Sequence, residues 1–110
     1  MTNAELLAKT LEAIKKYDKK PDEKLAAAIV KNYALVLRRA DTALVSCSDP
    51  KELETVRKNF LIKKLGLKES GKLYEAIEKV CEMMKSERRK SRAVFYYLLT
   101  KEFGKEKVFV

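Results

Sequence analysis

The chain has 110 residues, and its 25 Lys and Arg against 16 Asp and Glu give a net charge of +9. A hydrophobic fraction of 46 % excludes a disordered chain and suffices for one domain with its own core. There is no histidine, which excludes a Ser-His-Asp triad, a Cys-His dyad, a His-ligated zinc and a histidine pH switch within this chain.

The three glycines and two prolines fall where helices should start or stop, which points to an all-α fold. A first helix is predicted from about Ala4 to Lys16 or Tyr17, with Thr2 or Asn3 as N-cap and Leu7, Leu11 and Ile14 as its seam. Pro21 closes it, because the residue before a proline is disfavoured in helix. A second helix is predicted from about Asp22 to Arg39, with Leu25, Ile29, Tyr33, Val36 and Leu37 on one face. Asn32 projects into that face at 100° per residue and reads as a core amide satisfied by backbone. Asp41 to Val45 either extends this helix or makes a turn, and Ser46 to Asp49 reads as a loop.

The third helix carries the clearest signals. Asp49 is the N-cap, Pro50 suits the first helical position, Glu52 completes a capping box, and Gly66 stops the helix with Leu67 folding back. Leu53, Val56, Phe60, Leu61 and Leu65 line one face, and Arg57 falls inside that apolar arc. Glu54, one turn earlier, is placed to pair with it, so Arg57 reads as a structural ion pair before an arginine held to grip an anion. A fourth helix from about Lys72 to Lys85 has a stripe of Leu73, Ala76, Ile77, Val80, Cys81 and Met84. A fifth, from about Ser91 to Phe103 with Gly104 as its stop, is apolar all round from Ala93 to Leu99 and should be central. That run covers about two turns, far short of the ~20 residues of a membrane span. Tyr96 and Tyr97 need partners for their hydroxyls if buried. The tail Val108-Phe-Val110 is apolar enough to dock. The expected architecture is an all-α, compact orthogonal bundle of about five helices in a single domain, residues 1–110, with a docked C-terminal tail.

Chemistry-bearing motifs are scarce. No glycine-rich phosphate loop, GxGxxG or calcium loop occurs, and the carboxylates of the fourth helix face solvent, so no catalytic, cofactor-binding or metal residues can be named. Cys47 and Cys81 are too few for a disulfide framework. Cys81, at the edge of an apolar stripe, reads as inert. Cys47 lies just before a helix N-terminus, where the dipole can stabilise a thiolate, and is the candidate reactive thiol beside the plainer reading of a half-buried structural cysteine.

Charge is uneven. Residues 1–55 hold ten Lys and Arg against nine Asp and Glu, and residues 56–110 hold fifteen against seven. The densest basic run is Arg88, Arg89, Lys90 and Arg92, between the fourth and fifth helices, the candidate anion-binding residues. Lys63, Lys64, Lys68 and Lys72 gather around another junction. No aromatic residue is interleaved with the run, so no base-stacking platform is visible. An ordinary solvated junction is the plain alternative.

Several runs carry a resemblance: Ser48-Asp49, Glu52 to Val56, Asn59-Phe60-Leu61, Lys63 to Leu67, Arg92 to Leu99, and Phe103-Gly104-Lys105. Together they resemble the bacterial family catalogued as domain of unknown function 2853, over about Leu25 to Phe109. The resemblance implies a small, stand-alone, cytoplasmic helical protein and no particular activity, ligand or catalytic residue. The N-terminal residues, without the basic start of a signal peptide, fit the same location. The expected function is a non-enzymatic module that contacts an anionic partner, protein or nucleic acid, with no membrane contact. The alternatives are a structural protein with an apolar interface on its tail or second helix, monomer or homodimer, and a thiol redox protein using Cys47.

Overall fold

The computed structural model describes residues 2–110. Its helices are α1 (Asn3–Ile14), α2 (Glu23–Asn32), α3 (Ala34–Arg38), α4 (Pro50–Thr55), α5 (Gly71–Met83) and α6 (Arg92–Phe103). A π-helical segment, Val56–Lys64, continues α4, and a 3-10 turn, Glu106–Val108, follows α6. Two two-residue strands, β1 (Leu44–Val45) and β2 (Lys90–Ser91), pair antiparallel, Leu44 opposite Ser91 and Val45 opposite Lys90. The mostly helical expectation therefore holds, with a small ribbon added. The radius of gyration is 12.8 Å, against about 13 Å for a compact domain of this length.

α6 is the centre. Every residue from Arg92 to Thr100 is buried, and α1, α2, α5 and the ribbon pack around it. Having no polar face, it can be covered on all sides. At its far end Gly104, at φ 63°, lets Lys105 N–H bond the Thr100 carbonyl at 3.0 Å, closing a Schellman turn. At its near end the Ser91 hydroxyl accepts from the Val94 N–H at 3.4 Å.

Both tyrosine hydroxyls find partners. The Tyr97 hydroxyl donates to the Asp18 carboxylate at 2.6 Å and accepts from the Asp22 N–H at 2.8 Å. It thus fastens the α1–α2 connection to the core helix. The Tyr96 ring stacks on Phe60 at 3.9 Å between centroids and meets Tyr33 edge-on at 5.0 Å. Such aromatic pairs add about 0.5–1.5 kcal/mol each beyond area burial.

The differences from the sequence reading are local. One helix was expected over residues 22–39, but it breaks at Tyr33, which adopts φ −115° and ψ 21° while its ring joins Tyr96 and Phe60. Asn32 is exposed rather than in the core, although its amide does donate to backbone, the Ala28 carbonyl, at 2.7 Å. Thr2 is the N-cap of α1 and forms a capping box with Glu5. Asp49 caps α4 through the Lys51 N–H at 2.9 Å. Glu52 makes no capping box and turns instead to Arg92.

In the π-helical segment the Leu65 N–H reaches the Phe60 carbonyl, five residues back, at 2.9 Å. Gly66, at φ 72°, then lets the Leu67 N–H bond the Leu61 carbonyl at 3.0 Å. An ordinary Schellman turn here would use Ile62, and the wider register moves the acceptor by one residue. In the tail only Phe109 docks, stacked on Phe60 at 6.3 Å with the Lys64 ammonium 5.0 Å from its ring, while Val108 and Val110 stay exposed.

Replacing Tyr97 by Phe removes both ties to the α1–α2 connection and should cost about 1–3 kcal/mol. Urea unfolding followed by circular dichroism should show a lower midpoint with an unchanged slope.

Candidate anion-binding cleft

The ribbon brings together segments far apart in sequence. With Val45 opposite Lys90, the loop after β1 faces the loop before β2. Between them opens a cleft of about 600 Å3. Its apolar wall is Ala40, Leu44 and Val45, its hydroxyls are Ser46 and Ser48, and its cations are Arg88, Arg89 and Lys90, with Asp41 as the opposing charge. The two serine hydroxyls lie 3.3 Å apart.

The loop bearing the cations is anchored at Glu87. The Lys16 ammonium of the α1 end meets the Glu87 carboxylate at 2.6 Å, and the Lys90 ammonium donates to the Glu87 carbonyl at 2.9 Å. The Lys16 hydrogen bond holds the Glu87 carboxyl below the usual carboxylate range. Arg88 and Arg89 are exposed, and among the described residues neither forms an ion pair or a side-chain hydrogen bond.

Arg92, grouped with these three by sequence, does a different job. It is 7 % exposed. Its guanidinium donates to the Thr42 carbonyl at 2.6 Å, to the Leu44 carbonyl at 3.2 Å and to the Tyr96 hydroxyl at 3.0 Å, and it pairs with Glu52. Four of its five N–H donors are thereby committed inside the fold, and the group is buried, so it is not presented to a ligand in the cleft. Arg92 therefore leaves the anion-binding set and becomes the residue that fixes the β1 wall of the cleft.

Cys47 carries no free thiol. It is bonded to Cys81 of α5, with 5.9 Å between the Cα atoms. Both readings of Cys47 as an unpaired cysteine, reactive or structural, are thereby corrected, and so is the reading of Cys81 as a lone core filler. Nothing in the spacing of two cysteines 34 residues apart signals the pairing.

A second polar cluster sits on the π-helical segment. Arg57 is 8 % exposed and is gripped by Glu54, with Nε to Oε2 at 3.1 Å, and by Glu69. The Tyr74 hydroxyl also donates to Glu54, and the Arg57 guanidinium lies 5.5 Å from the Tyr74 ring centre. The expected Glu54–Arg57 pair is present. With two carboxylates on one guanidinium, the cluster is closed to an anion.

Residues 9–107, nearly the whole chain, match the family model described as protein of unknown function, DUF2853. The chain belongs to that family. The DUF2853 match takes in the ribbon, both loops of the cleft, both cysteines and the Arg57 cluster, and it begins inside α1, upstream of the resemblance traced from Leu25. No curated protein matches the chain.

Two predictions separate these roles. Arg92→Met should destabilise the fold by about 3 kcal/mol, because the Glu52 carboxylate and two carbonyls lose their donor. Arg88→Ala and Arg89→Ala should stay within about 0.5 kcal/mol of wild type, and urea unfolding of the three variants checks both.

The Arg57 hydrogen bonds, and then the Tyr74 hydroxyl, lower the Glu54 carboxyl from 4.5 to about 2. A carboxyl lowered by folding stabilises above its unfolded value, and that stability is lost as pH falls through the folded value. Glu54→Gln should therefore be less stable than wild type at pH 7. Its stability should also fall less steeply between pH 4.5 and pH 2, as read from thermal unfolding across that window.

Proposed function

We propose that this DUF2853 protein is a non-enzymatic binding module whose β1–β2 cleft receives an acidic segment of a partner protein, in the cytoplasm. The observation that carries the reading is the pair of exposed, uncommitted guanidinium groups of Arg88 and Arg89, set beside Lys90 and two serine hydroxyls in one concavity. Many other cations of the second half already have carboxylate partners. Arg57, Lys58, Lys79, Lys85, Arg92 and Lys101 all form ion pairs within the chain. Planar guanidinium forks match carboxylate or phosphate oxygens two at a time.

A protein segment suits this cleft better than a nucleic acid. No aromatic side chain lines it, so bases have nothing to stack on. Three adjacent cations make a compact spot rather than a track along a phosphate backbone. An apolar interface has less behind it, since the exposed large apolar side chains are scattered. Leu35 is on α3, Tyr74 and Met83 are at opposite ends of α5, and Val108 and Val110 are in the tail.

The test is fluorescence anisotropy at low ionic strength, with a labelled hexaglutamate peptide and a single-stranded RNA oligonucleotide as probes. The peptide should bind, lose affinity as salt rises, and bind at least about tenfold more weakly to Arg88→Glu/Arg89→Glu/Lys90→Glu. Arg92 is left intact so that the fold is preserved. Peptide binding indifferent to salt and to these charges overturns the proposal, and tighter binding of the RNA transfers it to nucleic acid.

A further inference from the structure

The Cys47–Cys81 bond crosses the cleft's border. Cys47 lines the cleft between Ser46 and Ser48, and Cys81 belongs to α5, whose C-terminal end leads into Arg88 and Arg89. Among the described residues, the hydrogen bonds of residues 46–49 all stay local. The Asp49 N–H bonds the Ser46 carbonyl at 3.3 Å, the two serine hydroxyls meet, and Asp49 serves α4. Beyond the two-residue ribbon and the packing of the half-buried Cys47, the disulfide is what ties this wall to the α5 side. Helix α5 has its own hold on the core through buried Leu73, Ala76, Ile77 and Val80. Both sulfur-bearing residues are only partly buried, within reach of a small dithiol.

Resting on the reading of the cleft as the binding surface, we propose that the Cys47–Cys81 disulfide is a reversible redox gate on anion binding. A dithiol reductant attacks one sulfur as its thiolate, and the Cys47–Cys81 bond breaks as a mixed disulfide forms. The second reductant thiol then displaces the cysteine. Two electrons pass to the protein, the reductant leaves as its disulfide, and its two protons end on the Cys47 and Cys81 thiols. The oxidised wall holds Ser46 and Ser48 facing Arg88 and Arg89. In the reduced wall β1 keeps its ribbon pairing and its bonds to Arg92, but residues 46–48 beyond it lose their covalent link to α5, and ligand binding must then order them, which weakens affinity. The gate answers the reducing poise of the cytoplasm, where a lasting structural disulfide is uncommon.

The labelled hexaglutamate peptide tests this with protein in three forms: oxidised, reduced with dithiothreitol, and Cys47→Ser/Cys81→Ser. The reduced and double-serine forms should both bind about tenfold more weakly than the oxidised form, with unchanged far-ultraviolet circular dichroism. Equal affinity in all three forms, still abolished by Arg88→Glu/Arg89→Glu, overturns the gate and leaves the cleft standing. No peptide binding in any form overturns the cleft and the gate with it. Loss of helical signal in both forms that lack the disulfide makes it a staple of the whole fold and overturns the gate alone.

Discussion

A buried cation is costly unless its donors are matched, and the end of α6 is organised around satisfying one. The Arg92 guanidinium reaches two carbonyls of the segment entering β1, the carboxylate of Glu52 on α4 and the hydroxyl of Tyr96 one turn along its own helix. Three elements, β1 with its entering segment, α4 and α6, are thus registered on one planar group. The two-residue ribbon is too short to stand alone, and it is held where Arg92 and the Arg92 N–H, 2.8 Å from the Ala43 carbonyl, fasten it. Once the ribbon is placed, the loops on either side face each other. The cleft follows from the guanidinium without containing it.

The same logic explains how two basic side chains four positions apart come to opposite fates. Arg88 lies before the ribbon, in a loop anchored through Glu87 to Lys16, and projects into solvent. Arg92 opens the central helix, whose first turn is enclosed, so its charge is admitted only with a full set of partners. Arg57 obeys the same rule elsewhere, with two carboxylates and a tyrosine around it. In this chain burial decides whether an arginine is scaffold or surface, and sequence density does not.

That distinction marks the boundary of what the sequence makes legible. Helix ends and faces follow from local chemistry, so Asp49-Pro50, Gly66, Gly104 and the all-apolar run of α6 are readable as they stand. The Glu54–Arg57 pair is readable because both partners share a helix. Arg92 is misread because its partners, Thr42, Leu44 and Glu52, are 40 to 50 residues away. The ribbon is too short for any alternation to show, and the disulfide joins cysteines whose proximity depends on that ribbon. The break at Tyr33 answers to Tyr96 and Phe60, again a tertiary demand overriding a helical pattern.

The net charge of +9 is therefore a poor guide to where an anion would bind. Charge summed over half a chain counts Lys79 beside Glu102 and Lys85 beside Glu82 equally with Arg88. In water the paired cations present a dipole to an approaching ligand, and its field falls away faster than that of a single charge. A short run of uncommitted guanidiniums, backed by an apolar wall that lowers the local dielectric, keeps its field focused at the cleft mouth. Other second-half lysines, including Lys63, Lys64, Lys68 and Lys72, also lack a carboxylate partner among the described residues, so what sets Arg88 and Arg89 apart is their place in a concavity beside two hydroxyls.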